Sequence, residues 1–194
     1  MKKSKYINAT QQKNSGPPPV WFMRQAGRYL PEYRKIREKN PFLAMVKNPS
    51  LACEITLQPI KRFGFDAAIL FSDILNPIEC LGYDLKFKEK IGPVIENPYI
   101  KSPVIPEFKE ELIGELNYVF EAIKLIKTEL KPYHCPLIGF AGAPFTVFSY
   151  IVEGGSSQTL KNTKMLLYND PHSAHKLLKE LTKLTISYLT EQIK

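Results

Sequence analysis

The sequence predicts an α/β fold on a parallel sheet, and three observations predict it. Apolar runs of strand length stand at 20–23, 66–72 and 137–141, and each is followed by a polar or glycine-bearing loop. A segment of helical periodicity follows each run, after an irregular excursion in the case of 66–72, and this is the alternation that parallel-sheet architectures require. A chain of 194 residues, 44% hydrophobic and 24% charged, is long enough for one sizeable core. Only about three βα units are present, whereas a closed (β/α)8 barrel needs about 250 residues.

The elements follow in order. Residues 1–16 are polar without periodicity and read as a disordered tail, after which Pro17-Pro18-Pro19 fixes an extended entry. The run 20–23 reads as a first strand, and Pro31 at a first helical position opens a charged helix. Asn48-Pro49 caps the next helix, whose Leu51, Ile55, Ile60 and Phe63 carry apolar spacing up to Gly64, with a kink expected at Pro59. The run 66–72 has the continuous apolar character of a strand buried on both faces and leaves Asp73 at its C-terminal end. Residues 83–88 alternate as a half-exposed strand, and Gly92-Pro93 and Asn97-Pro98 keep the surrounding excursion irregular. Leu116, Val119, Phe120, Ile123, Ile126 and Leu130 mark a long amphipathic helix ending before Pro132. After the third buried strand, 137–141, a helix over 144–153 is stopped by Gly154-Gly155, and Asn169-Asp170-Pro171 opens a last helix.

Composition narrows the function classes. No apolar run reaches the roughly 18 to 20 residues of a membrane span, and the basic start Met1-Lys2-Lys3-Ser4-Lys5-Tyr6 lacks a following apolar region, so a cytoplasmic protein is expected. Cys53, Cys80 and Cys135 are odd in number and have no C-x-x-C spacing, which signals neither a disulfide framework nor a zinc site. The formal charge of +8 invites a nucleic-acid partner. Its distribution argues against one, because the lysines are scattered along helical stretches and termini while only the arginines cluster.

Three constellations carry chemistry. In Arg24-Gln25-Ala26-Gly27-Arg28, followed by Arg34 and Arg37, planar and permanently charged guanidiniums suit a ligand with several carboxylates, and Gly27 lets a backbone approach closely. The competing reading is a surface loop whose arginines pair with Glu32 and Glu38. In Phe71-Ser72-Asp73-Ile74-Leu75 a carboxylate ends a strand, where it either faces an active site or caps the segment after it. The third, Gly139-Phe140-Ala141-Gly142-Ala143-Pro144-Phe145-Thr146 with Tyr150 and Glu153, matches neither G-x-G-x-x-G nor a P-loop, so no nucleotide is expected. Tyr150 could offer its hydroxyl to a ligand or sit in the core. His172 and His175 lack partners at metal-ligand spacing and read as surface residues.

In this order the segments resemble the two signature regions of the uroporphyrinogen decarboxylase family: 19–34, and 139–146 through Tyr150 and Glu153-Gly154-Gly155, with 56–60 and 66–75 between them. The likeness covers residues 17–194, and family members continue well past that point. It implies the N-terminal part of a (β/α)8 TIM barrel. It implies also decarboxylation of the four acetate side chains of uroporphyrinogen III to coproporphyrinogen III, in haem biosynthesis, with no cofactor and no metal. Arg24, Arg28 and Arg37 would hold substrate carboxylates, Gln25, Ala26 and Gly27 would complete the binding loop, Asp73 would face the pyrrole NH groups, and Tyr150 would contact the tetrapyrrole. The family also uses a serine or threonine and a histidine that no residue here matches, and it suggests a homodimer. The residue types agree with the chemistry: protonating a pyrrole makes it a cationic electron sink for the departing CO₂, and a carboxylate can stabilise that cation. Asp73 fits that role, and Arg37 is a weaker fit to proton delivery because arginine seldom releases a proton. A cobalamin-linked methyltransferase would need a His/Cys zinc site that the spacing does not offer. A non-catalytic binding module is the other reading, and an in-frame continuation of the gene would part the two.

Overall fold

The computed structural model describes residues 4–89 and 91–194. In chain order the helices and strands are α1 Lys5–Thr10, α2 Pro31–Lys39, α3 Phe42–Val46, α4 Pro49–Phe63, β1 Ala68–Ile69, β2 Leu85–Lys88, β3 Gly92–Ile95, α5 Asn117–Glu129, β4 Leu137–Ile138, α6 Pro144–Glu153, α7 Lys161–Asn169 and α8 Pro171–Ile193. The chain divides into two compact units, Met1–Ser72 with Tyr118–Gly139, and Asp73–Asn117 with Phe140–Lys194.

In the first unit β1 and β4 pair in parallel, Ala68 opposite Leu137 and Ile69 opposite Ile138. The backbone of Ala68 donates to Pro136 and that of Leu70 to Ile138, at 2.9 and 3.1 Å. Both strands are shorter than the apolar runs that predict them, and β4 is half-buried rather than buried. On the edge of β1 that faces away from β4, the Phe71 N–H is taken by the Thr56 hydroxyl of α4 at 2.9 Å, so a side chain meets that edge. Helix α4 forms as its signals predict. The Asn48 side chain accepts from the Ser50 and Leu51 amides, Pro49 fills the first position, and Gly64 ends the helix at φ +67°. Pro59 lies inside it, and most of the helix from Ala52 to Ile60 is buried. Leu30, Tyr33, Met45 and Ile55 make a core cluster on which Ala26, Ile36, Phe42, Leu51 and Phe71 pack.

Two expectations fail in this unit. The run 20–23 is not a strand: Val20 is tied to Asp66 by one backbone and one side-chain bond, since Asp66 donates its N–H to the Val20 carbonyl and accepts the Val20 N–H on its carboxylate at 2.8 Å. The segment 1–16, expected to be disordered, carries the short helix α1, within which the Thr10 hydroxyl donates to the Ile7 carbonyl; residues 1–3 lie outside the described residues.

In the second unit β2 and β3 form an antiparallel hairpin, Leu85 opposite Ile95. The irregularity expected around Gly92-Pro93 is thus overturned, because a two-stranded ribbon has free outer edges where a proline costs no ladder bond. The hairpin docks on the end of α6: Ile95 donates to the Gly154 carbonyl, Tyr99 to that of Ile151, and Val94 bridges Gly155. Helix α8 starts where predicted, with Asp170 accepting from the Ser173 amide, and buries Ala174, Leu177, Leu181, Leu184 and Tyr188 at three- and four-residue spacing. Gln192 near its end clamps Phe140 reciprocally, accepting its N–H at 3.1 Å and donating to its carbonyl at 2.9 Å. The sequence signals missed α3 and α7, which are short and lack strong caps. Among the described residues no helix is long and apolar enough to cross a membrane.

Candidate functional site

The arginine-bearing turn is part of the first unit and is held from beneath. Gln25 is 2% exposed; its Oε1 accepts from the Phe22 N–H and its Nε2 donates to the Ala67 carbonyl, both at 3.1 Å. The Tyr29 hydroxyl donates to the Gln25 carbonyl. Ala26 packs on the core cluster, and the Leu30 N–H returns to the Gly27 carbonyl at 3.0 Å. Arg34 closes the far side by donating to the carbonyls of Arg28 and Tyr29 at 2.9 and 3.1 Å. Arg24 itself sits at φ +61°, a conformation that costs a non-glycine residue roughly 1–3 kcal/mol and persists only where neighbours enforce it.

This arrangement sorts the arginines. Glu32, one of the expected surface partners, is taken by Arg62 with both carboxylate oxygens within 3.1 Å. Arg24 and Arg28 are exposed and, among the described residues, have no carboxylate partner. Arg37 is half-buried on α2 and spends one N–H on the Asn40 carbonyl at 2.9 Å. Burial raises the pKa of the Tyr33 hydroxyl, opposed by the positive charges of Arg37 and then Arg28. A Cβ on Gly27 would meet nothing nearer than the Arg24 carbonyl at 3.5 Å, so packing within the turn does not demand glycine there.

Asp73 and Tyr150 belong to the second unit. Asp73 is half-buried, and its Oδ1 accepts from the Leu75 N–H at 2.8 Å, so the turn-capping reading of this residue is observed. Its Oδ2 accepts no hydrogen bond among the described residues. Burial pushes the carboxyl above its ordinary range, and the Leu75 amide only partly offsets this. Next to it, Gly142 is packed so closely that a Cβ would lie 3.1 Å from the Ile74 Cβ, 3.2 Å from its carbonyl and 2.7 Å from Val147. The glycine-bearing loop after β4 is therefore pressed onto the Asp73 loop. Tyr150 is half-buried on α6 with a hydroxyl that makes no hydrogen bond among the described residues. Glu153 is structural: it accepts from the Thr163 amide and hydroxyl, both at 2.8 Å, and from Asn162, fixing the start of α7.

Sequence reasoning missed the struts. Nothing in the residue order signals the side chain to backbone bonds that Thr56, Asp66 and Arg34 make. The cysteines are buried, with burial raising the Cys80 thiol to about 12 and the Cys135 thiol to about 11, which makes both poor nucleophiles. His172 and His175 are exposed as expected. Among the described residues no group of three His, Cys, Asp or Glu side chains could hold a metal.

The family model described as uroporphyrinogen decarboxylase matches residues 1–194. A uroporphyrinogen decarboxylase of Legionella pneumophila (strain Paris) is 48% identical over 196 residues, covering 100% of this chain and 55% of that relative. One from Thermodesulfovibrio yellowstonii is 45% identical over 201 residues, covering 99% and 56%. The chain thus spans about half the length of the curated relatives it matches. A methyltransferase from Methanosarcina mazei superposes with a TM-score of 0.74 at 20% identity over 98% of this chain and 55% of that one, a likeness of fold.

Proposed function

The chain belongs to the uroporphyrinogen decarboxylase family, and on that premise we propose that it carries the carboxylate-binding and cation-stabilising part of a site that converts uroporphyrinogen III to coproporphyrinogen III. The observation that carries this reading is the pair Arg24 and Arg28, exposed and, among the described residues, without carboxylate partners, on a turn that Arg34 of α2 is spent on holding. A cluster that existed for surface pairing would have used Glu32, which Arg62 takes instead. Arg24, Arg28 and Arg37 grip substrate carboxylates, with Ala26, Gly27 and Gln25 shaping the turn, and Tyr150 offers its free hydroxyl to the tetrapyrrole.

Each cycle protonates a pyrrole ring, and the positive charge draws the electron pair of the breaking C–C bond as CO₂ leaves. A second proton then reaches the former acetate carbon and makes it a methyl, and the ring releases the proton it first took up, so each turn exchanges CO₂ for one proton overall. Asp73 stabilises the cationic stage through its free oxygen directed at the pyrrole NH groups. Neither step calls for a metal or redox cofactor. The family likeness further supports a partial (β/α)8 barrel, a homodimer and a cytoplasmic setting.

The test is assay of the chain, alone and together with the remaining sequence of a family member, on uroporphyrinogen, with chromatography of the products. Coproporphyrinogen and its partly decarboxylated precursors are expected with the added sequence. No product in that mixture, together with unchanged output after Arg28→Ala in a family-length enzyme bearing this segment, would remove the reading.

A further inference from the structure

We propose that Gln25 is a positioning residue: its buried amide splints the turn bearing Arg24 and Arg28 to the chain ahead of β1, and it does not touch the bound carboxylates. This rests on the carboxylate-binding reading of that turn. At 2% exposure the side chain is withdrawn from any ligand that meets the exposed guanidiniums. Both ends of the amide are committed to backbone, to the Phe22 N–H on one side and the Ala67 carbonyl on the other. The task needs one acceptor and one donor on a neutral group, which an amide supplies and a carboxylate, acceptor-only when ionised, does not.

The splint acts on its neighbours. Arg24 immediately precedes it in a left-handed conformation, and the Gln25 carbonyl is itself tied down by the Tyr29 hydroxyl. With the turn fixed before the ligand arrives, the guanidiniums lose less freedom on binding, which is where preorganisation yields affinity. Gln25 therefore influences the ligand only through the arginines.

Trp21, the sole tryptophan, stands just ahead of the turn and reports binding by quenching of its emission. The probe is uroporphyrin, titrated into the 194-residue chain, its Gln25→Met variant, the Arg24→Ala/Arg28→Ala variant and the combination. Gln25→Met should weaken binding about tenfold with the arginines present and within about twofold without them, since residues acting through one another are non-additive. Hydrogen exchange at the Phe22 amide should also quicken in the unliganded Gln25→Met chain. Equal weakening in both backgrounds, or none in either, overturns the proposal. If Gln25→Met does not fold, Tyr29→Phe, at an exposed position, enters the same cycle and should again weaken binding only where the arginines remain. Absence of quenching in the unsubstituted chain overturns the carboxylate-binding reading and this inference with it. Quenching that survives Gln25→Met unchanged overturns this inference alone.

Discussion

The arginine turn and the Asp73 loop solve opposite electrostatic problems. In the first, permanent positive charge stands in solvent, and the fold invests in geometry: a buried amide, a tyrosine hydroxyl and a third arginine lock a strained backbone. In the second, a single negative group is drawn partly out of water, held by one backbone N–H, and made harder to ionise by its surroundings. An exposed guanidinium needs no help to stay charged and gains only from being aimed. A carboxylate gains strength toward a transient cation by losing water, because Coulomb attraction grows as the local dielectric falls. The two regions should therefore fail differently when damaged.

The largest effect is expected at Asp73. In a family-length enzyme bearing this segment, Asp73→Asn should lower kcat about a hundredfold or more, the scale for losing one preorganised electrostatic group, and leave KM nearly unchanged. Arg28→Ala should do the reverse, raising KM by about ten- to a hundredfold, as expected for losing a charge-assisted bond of roughly 1.5–3 kcal/mol. Steady-state kinetics on both variants checks the split. A similar fall of kcat in both would erase the distinction between the regions.

Two glycines sharpen it further. Gly142→Ala forces a Cβ against Val147 and Ile74, so unfolding in denaturant should show a loss of about 1–3 kcal/mol, the usual cost of overpacking. Gly27→Ala meets only ordinary contact distances and should change stability by less than about 0.5 kcal/mol. If Gly27→Ala nonetheless weakens uroporphyrin binding, the space over Gly27 belongs to the ligand. Equal destabilisation by both substitutions would contradict the packing described for the two loops.

Helix boundaries were legible because their signals are local. Asn48-Pro49, Gly64, Pro144, Gly154 and Asp170-Pro171 each act through backbone geometry within a turn, and each helix they bound formed as read. Strand extents were not legible, because they depend on which distant group meets each edge; on the edge of β1 away from β4, the Phe71 N–H meets the Thr56 hydroxyl, fifteen residues away. The same limit applied to the candidate residues. Charge and motif drew attention to Arg24, Arg28 and Asp73. Nothing in the residue order distinguished Gln25, buried and committed to backbone, from its exposed neighbours, or separated Glu153 as the support of α7 from Tyr150 with its free hydroxyl.

The smallest effect concerns the cost of the carboxylate itself, and its sign is what tests the comparison. Burial raises the pKa of Asp73 in the folded chain above its ordinary value of 3.8, with the Leu75 amide as the lesser opposing influence. Between the ordinary and the raised value the folded state binds more protons than the unfolded one, so stability falls as pH rises through that window. Above the window the folded state carries the full penalty of a desolvated charge; below 3.8 it carries none. Asparagine never ionises and keeps an oxygen for the Leu75 N–H, so Asp73→Asn should be more stable than the unsubstituted chain at neutral pH. That advantage should vanish as the pH drops below the ordinary carboxyl range, while the other carboxylates titrate alike in both proteins and cancel. Paired denaturation curves at neutral and acid pH give the difference directly. An Asn variant that is less stable at neutral pH would mean that the Leu75 bond to a charged acceptor outweighs burial, and Asp73 would then be a cap first and a poised catalytic group not at all.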